Sequence, residues 1–155
     1  MKIRIELDET LQEEEVIIRC RSLSEQVQQI QRAISDSITS KNKMEFTKGE
    51  RQYFLPLDDI LFFETDGGMV AAHTTQDMFQ TRLKLYELEE ILPGHFMRIS
   101  KSSILNTNLV YAISRNLTAS SVVEFQSSHK QVYVSRNYYK ALIHKLEEKR
   151  TTHFE

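Results

Sequence analysis

Short apolar runs separated by polar turns fill the chain from Met44 onward, and this pattern restricts the fold more than any other feature of the sequence. The most apolar run, residues 60–63, contains four consecutive bulky side chains, which is too apolar for the exposed edge of a sheet. Asp66-Gly67-Gly68 is typical of a hairpin turn, and residues 69–74 follow it as the return strand. We therefore predict a mainly β (α+β) domain.

The other strands of this domain are bounded by residues that favour turns, chiefly Asn, Asp and Ser. We predict them at 53–55, 96–99, 102–105, 110–113, 121–125 and 131–134. Leu85, Leu88 and Leu92 have the spacing of one face of a short helix that ends at Pro93-Gly94. Ser135 is a suitable N-cap for a final helix. The strand-rich domain is thus expected at residues 44–150, followed by a tail at 151–155.

The first 43 residues have a different pattern. Residues 2–7 alternate charged and apolar side chains, and residues 16–18 form a second short apolar run, so both are predicted strands. A helix should follow, because one apolar face recurs at spacings of 4, 3, 4 and 4, and Ser22 and Glu25 have capping-box spacing. The residues of that face are Leu23, Val27, Ile30, Ile34 and Ile38. This ββα segment is too small to bury much surface alone. Two hypotheses are open: the helix forms a homodimer, or it packs only on its own domain.

Charge is divided unevenly along the chain. The formal net charge of −2 argues at first against a nucleic-acid partner. Residues 1–94, however, contain 11 Lys and Arg against 18 Asp and Glu, a balance of −7, whereas residues 95–150 contain 9 against 3, a balance of +6. The basic part could attract a phosphate backbone, since fields act over about 8–10 Å; the alternative is a chance fluctuation on a solvated surface.

The sequence contains few signs of an enzyme. It lacks the nucleophile-elbow, P-loop and zinc-protease motifs, and its scattered histidines do not have metal-ligand spacing, so we expect no metal, no cofactor and no small-molecule substrate. Ser127 and Lys130 have the Ser-x-x-Lys spacing of some hydrolases, but they fall in a predicted turn. Cys20 is expected to be a buried apolar residue, with an exposed redox thiol as the alternative. A lone cysteine, no signal peptide and no membrane-length apolar stretch indicate a cytoplasmic protein.

Two segments, 96–106 and 132–140, interleave Arg and Lys with Ser, Asn and Tyr beside β-branched anchors. Such side chains suit DNA, because hydroxyl groups position a phosphate backbone and long cations reach guanine O6 and N7. Solvated strand ends would have a similar composition, so the pattern alone leaves both interpretations open.

Four blocks make the sequence resemble the LytTR family of bacterial DNA-binding transcription regulators. They are PLDDILFFE at 56–64, LYELEEILP at 85–93, FMRISKSSILN at 96–106 and VSRNY at 134–138. Their order and spacing agree over residues 44–147. The resemblance implies an elongated β-fold whose loops enter successive major grooves of a direct-repeat site in double-stranded DNA.

The resemblance also implies roles for individual residues. Lys101 and Arg136 occupy the base-contacting positions. The expected backbone contacts are Ser102, Ser135, Asn137, Tyr133, Lys130, Lys140 and Arg98. For Arg98 two roles are open, because it could contact phosphate or brace the loop that follows it.

The chain departs from the family pattern in two places. The hairpin after Glu64 often carries a side chain that reaches DNA, but here it contains Gly67 and Gly68. That contact is either lost or made by a backbone amide. The first 43 residues are also too few for a receiver domain. The organisation therefore resembles small stand-alone LytTR regulators, which implies a membrane protein as a possible regulatory partner.

Two other functions are open besides that of a DNA-binding regulator. In the first, the acidic N-terminal half docks a basic partner, so the protein is an interaction module. In the second, Ser127 and Lys130 act as a hydrolase pair.

Overall fold

The computed structural model describes residues 2, 4–12 and 15–152, and within these the side chains of all except 39–41 and 149–152. The chain divides into two units, residues 1–40 and residues 41–155. None of the helices in the described part of the chain is long and apolar enough to cross a membrane.

The helix α1 (Glu25–Lys41) agrees with the predicted helix, and all of it except Lys41 belongs to the first unit. Ser24 caps it: the Ser24 hydroxyl accepts a 3.4 Å hydrogen bond from the backbone N–H of Val27, so the expected Ser22 cap is wrong. Ile30 and Ile34 are half-buried, whereas Ile38 is exposed.

The strands predicted before α1 are wrong within the described residues, because 4–12 and 15–24 contain no strand. Ile3 lies outside the described residues. Ile5 and Leu7 are among the most exposed apolar side chains, at 83% and 94%. An alternating pattern indicates only which side chains could share a face; a strand also needs a neighbour for its backbone N–H and C=O groups.

Cys20 is exposed and not disulfide-bonded, so the interpretation of this residue as a buried apolar side chain is wrong. It lies in the stretch before α1 that has no regular secondary structure.

The second unit is built on a seven-stranded antiparallel sheet with the order β2-β1-β5-β4-β3-β7-β6. Its strands are β1 (Lys43–Lys48), β2 (Arg51–Pro56), β3 (Phe62–Asp66), β4 (Met69–His73), β5 (Met78–Thr81), β6 (Phe96–Ser100) and β7 (Ser103–Asn106). A three-stranded antiparallel sheet has the order β10-β9-β8, with β8 (Val110–Ser114), β9 (Ser121–Phe125) and β10 (Gln131–Val134). The helices are α2 (Leu85–Ile91) and α3 (Arg136–Thr152). The predicted mainly β fold with short helices is confirmed.

Adjacent residues of β3 point to opposite faces of the large sheet and build two cores. Phe63 belongs to a cluster with Leu88 of α2, and Phe62 to a cluster with Val123 of β9 and Leu142 of α3. All four residues of the 60–63 run are at most 2% exposed. The run is therefore uniformly apolar because both faces of the sheet are covered at this point.

β6 is an edge strand of the large sheet, and the start of α3 lies against it. The backbone N–H of Ser135, just before α3, donates a 2.9 Å hydrogen bond to the carbonyl of Ile99 in β6. Ile99 itself is fully buried in the second core. This contact determines where the two polar segments lie relative to each other.

Candidate nucleic-acid interface

The turn between β6 and β7 presents Lys101 and Ser102, both of which are exposed. The backbone N–H of Ser102 donates to the Ser100 hydroxyl at 3.2 Å, and the two serine hydroxyls are 3.3 Å apart. The pairing of β6 with β7 is irregular between Arg98 and Ser100. Side-chain hydrogen bonds within the turn thus define its shape and expose the Lys101 side chain.

Arg98 braces this turn from behind. Its Nε donates to the carbonyl of Ser100 at 2.7 Å, and its Nη2 donates to the carbonyl of Lys101. Its Nη1 forms a 2.8 Å ion pair with Glu89 of α2. Of the two roles open for Arg98, the geometry therefore favours bracing the loop over contacting phosphate.

The β3–β4 turn lies beside the β6–β7 turn. The backbone N–H of Thr65 donates to the carbonyl of Ser102 at 2.9 Å. Gly67 and Gly68 both have positive φ, +56° and +85°, as a tight hairpin turn requires. Lys84 approaches this turn from the start of α2, with its Nζ 3.3 Å from the carbonyl of Gly68. The turn that has no long side chain of its own is therefore accompanied by a cation from another element.

The start of α3 supplies the second polar segment. Arg136 is the first residue of the helix, and Arg136 and Asn137 are exposed, as is Lys140 one turn further on. A cation at a helix N-terminus opposes the helix dipole, so Arg136 does not stabilise α3 in this way. The N–H of Tyr138 is bonded to the carbonyl of Ser135, whereas the two cations and the positive end of the helix dipole together favour an anion. Tyr133 of β10 is 62% exposed, while its neighbours Val132 and Val134 are buried.

Lys130 lies away from this group, before the first residue of β10, whereas Ser135 follows the last. A strand of this length spans roughly 13 Å. The Nζ of Lys130 donates to the carbonyl of Asp77, and the hydroxyl of Ser128 donates to the carbonyl of Thr75 at 2.9 Å. Burial lowers the pKa of the Lys130 ammonium. The β9–β10 turn is thus attached to the loop between β4 and β5.

The suggested hydrolase pair does not form a nucleophile and its base. Ser127 has a positive φ of +61° in the turn after β9. To act as the base, Lys130 would need a neutral amine that accepts the serine proton, but its ammonium instead donates to the carbonyl of Asp77.

His73 and Glu64 form a second cluster of titratable side chains, and their contacts indicate a structural role. The Nε2 of His73 is 2.8 Å from Glu64, and its ring stacks on Phe62 with centroids 4.3 Å apart. Burial lowers the pKa of His73, which favours the neutral ring, although the Glu64 carboxylate acts in the opposite direction. Within residues 2, 4–12 and 15–152, no group of three or more acidic, His or Cys side chains could hold a metal ion.

The structure brings together most of the predicted contact residues and adds two that the sequence did not indicate. Lys101, Ser102, Ser135, Arg136 and Asn137 lie on two elements joined by the bond between Ser135 and Ile99. The additional residues are Glu89 and Lys84. Glu89 is part of the LYELEEILP block, but no pattern pairs it with Arg98, nine residues further along on another element.

Comparison with known proteins supports a DNA-binding domain. Residues 50–147 match the family model of the LytTr DNA-binding domain. An uncharacterized HTH-type transcriptional regulator of Staphylococcus aureus strain NCTC 8325 is 28% identical over 146 residues, which cover 94% of this chain and 98% of the relative. A regulator with the same description from strain MRSA252 is 32% identical over 106 residues, covering 68% of this chain and 71% of the relative.

The fold also agrees with a solved structure. A LytTr DNA-binding domain from Bacillus cereus superposes with a TM-score of 0.62 at 19% identity, and the match covers 68% of this chain and 96% of that domain. In the structure described above, five strands separate α2 from α3, so these two helices do not form a helix-turn-helix unit. Family membership assigns the chain to DNA-binding proteins and not to enzymes. The chain belongs to the LytTR family, and its second unit is a LytTR DNA-binding domain.

Proposed function

We propose that this protein regulates transcription by binding direct-repeat promoter sites in double-stranded DNA, with its loops in successive major grooves. The observation that carries the proposal is the 2.9 Å hydrogen bond between Ser135 and Ile99, because it brings the turn that holds Lys101 next to the helix start that holds Arg136. A family assignment alone does not say which surface meets DNA. Two exposed long cations on adjacent elements supply such a surface.

Lys101 and Arg136 are the proposed base contacts. Both are exposed, and the contacts of the described residues give neither side chain a hydrogen bond or an ion pair within the protein. Long cations can donate to guanine O6 and N7, and each such contact contributes about 1–3 kcal/mol of discrimination against the wrong base. Their fixed spacing would allow the protein to recognise two positions of one site together.

The proposed backbone contacts surround these two residues. Ser102, Ser135, Asn137, Tyr133 and Lys140 present hydroxyl, amide or ammonium groups that suit phosphate oxygens. Lys130 is the outlying member of the set, and one donor of its ammonium already bonds to the carbonyl of Asp77. Arg98 already has protein partners at three of its nitrogens, so we assign it the bracing role.

The first unit is proposed to form a homodimer through α1. Its apolar face contains Val27, Ile30, Ile34 and Ile38, and Leu23 of the predicted face lies before the helix; Leu23 and Ile38 are exposed in the single chain. A homodimer supplies two DNA-binding domains, one for each half of a direct repeat. A cytoplasmic location follows from the proposed function, and a membrane protein remains the proposed regulatory partner.

Genomic footprinting with the purified full-length protein tests the proposal. The expected result is one enriched motif that occurs twice, with its copies one helical turn apart. The arrangement predicts that the Arg136→Ala variant loses enrichment of this motif. If the wild-type protein enriches no motif at moderate salt, the proposed function is wrong.

A further inference from the structure

We infer that Glu89 is a positioning residue for the β6–β7 turn, and that it acts through Arg98 to determine how well the protein distinguishes one DNA sequence from another. The inference rests on the proposed function, because it takes the turn with Lys101 as the base-contacting element. Neither the sequence blocks nor the family match assigns Glu89 a role.

The contacts form one continuous chain from α2 to the turn. Glu89 Oε1 is 2.8 Å from Nη1 of Arg98. On its other side the same guanidinium donates to the carbonyls of Ser100 and Lys101. A guanidinium is planar and holds its donors in a fixed fork, so a carboxylate that holds one nitrogen also fixes the direction of the others. Glu89 therefore determines where the two carbonyls of the turn are held.

The negative charge of Glu89 argues against a role in which this residue strengthens DNA binding itself. A carboxylate near a phosphate backbone weakens binding to every DNA sequence. Without Glu89, the free nitrogen of Arg98 could turn towards a phosphate, which would add affinity for any sequence and release the turn. Glu89 competes with phosphate for Arg98, so it should increase discrimination at the expense of general affinity.

The turn is short, which makes the position of its backbone important for Lys101. Lys101 and Ser102 are the two residues between β6 and β7. The carbonyl of Ser102 is held by Thr65 and that of Lys101 by Arg98. If the second of these bonds is lost, the Lys101 side chain leaves the backbone in a variable direction, and a contact with one base edge becomes less specific.

Substitutions that keep the charge can test this directly. Glu89→Asp retains the carboxylate but shortens the side chain by one methylene, so the contact with Arg98 is lost while the net charge is unchanged. The control is Glu90→Asp, at the neighbouring exposed position of the same helix. Binding is measured for the best duplex that the wild-type full-length protein selects from a random-sequence library, and for a shuffled duplex of the same composition.

The quantity to compare is the ratio of the two dissociation constants. We expect Glu89→Asp to reduce the preference for the selected duplex by about 3- to 10-fold, through weaker base contact on the selected duplex and stronger binding to the shuffled one, whereas Glu90→Asp leaves the ratio unchanged. In a background of Arg98→Lys, which keeps the charge but loses the fork, Glu89→Asp should have no further effect. Circular dichroism melting checks that each variant is folded, which is expected because the Glu89 side chain is 43% exposed.

Four results would overturn the inference, and the last of them would also overturn the proposed function. An unchanged ratio for Glu89→Asp, or an equal loss for Glu90→Asp, overturns the inference and leaves the proposed function intact. Losses that add in the double variant show that Glu89 does not act through Arg98, and this also overturns it. If the wild-type protein selects no duplex, the proposed function itself fails, and the inference fails with it.

Discussion

The backbone N–H of Ser135 donates a 2.9 Å hydrogen bond to the carbonyl of Ile99, and this bond connects the segment before α3 to the edge strand β6. Ile99 lies between Arg98 and Ser100, where the pairing of β6 with β7 is irregular, and its side chain is fully buried in the second core. Two polar segments that are some 30 residues apart in the chain therefore form one surface.

Arg136→Ala should reduce discrimination between the preferred site and random DNA by about 1–3 kcal/mol, because one base contact is lost. The measurement is a pair of fluorescence-anisotropy titrations on the selected duplex and on a shuffled one. Lys43→Ala is the control, since Lys43 is an exposed cation of β1, which is five strands away from β6 in the large sheet. Equal small shifts on both duplexes would show that Arg136 does not contact a base.

Lys140→Gln should weaken binding to all sequences by a similar factor, because Lys140 is proposed to contact phosphate. The plot of log K against log salt concentration should become less steep by roughly one unit. Titrations at several salt concentrations measure this slope. Sequence-dependent loss, with an unchanged slope, would move Lys140 from the backbone contacts to the base contacts.

Lys130→Ala should lower the thermal stability of the domain as well as the affinity for DNA of any sequence. The reason is that the Lys130 ammonium attaches the β9–β10 turn to the carbonyl of Asp77, which loses this donor in the variant. Differential scanning calorimetry measures the first effect, and Lys140→Gln is the matched control because Lys140 is exposed. Equal melting temperatures for the two variants would contradict the structural role of Lys130.

His73 should make the folded state less stable as the pH falls below the ordinary histidine range. Burial lowers the pKa of His73 in the folded state, so around pH 6 the unfolded chain binds more protons at this position than the folded chain does. Its contribution is therefore present above the unfolded pKa of about 6.5 and is lost as the pH falls through the lower folded pKa. Urea unfolding between about pH 7.5 and 5.5 should give a smaller loss for His73→Gln than for the wild-type protein. A loss of the same size in the variant would exclude His73 as the cause.

Gly67→Val should destabilise the domain by about 1–2 kcal/mol, whereas Gly67→Asn should change its stability by less than about 0.5 kcal/mol. Gly67 has a φ of +56°, and a Cβ there would meet no atom within 4 Å, so any cost arises from the backbone conformation alone. Asn tolerates this left-handed conformation and Val does not. Urea unfolding of the two variants measures the difference, and equal stabilities would contradict the assigned turn.

Ile30→Asp should convert a dimer to a monomer, since it places a charge on the apolar face of α1. Gln29→Asp introduces the same charge at an exposed position of the same helix and should leave the dimer intact. Light scattering after size-exclusion chromatography measures the mass. A wild-type monomer would favour the other hypothesis, in which α1 packs only on its own domain.

Much of the second unit could be predicted from the sequence, because the hydrophobic pattern of each segment reflects which of its residues are buried. The run at 60–63 indicated a buried strand, and its residues are all buried although β3 begins only at Phe62. Asp66-Gly67-Gly68 indicated a hairpin and Pro93-Gly94 a helix end, and the structure has both. The strand predicted at residues 2–7 is wrong within the described residues, since an alternating pattern of charged and apolar side chains does not supply a neighbouring strand. The sequence pattern also missed β1 and β5, and the short β5 includes one buried aromatic residue, Phe79, without a clear alternating pattern.

The sequence by itself determined the composition of the candidate interface: the cations, the hydroxyl groups and the basic balance of residues 95–150. Only the tertiary structure decided which of these groups are available. Arg98 is held by Glu89 and the turn carbonyls, Lys130 is held by Asp77, and Lys101 and Arg136 remain exposed. The physical reason is that periodicity reports the environment of each residue along its own element. Contacts between elements depend on the order of strands in the sheet and on the packing of the cores, which no local pattern records.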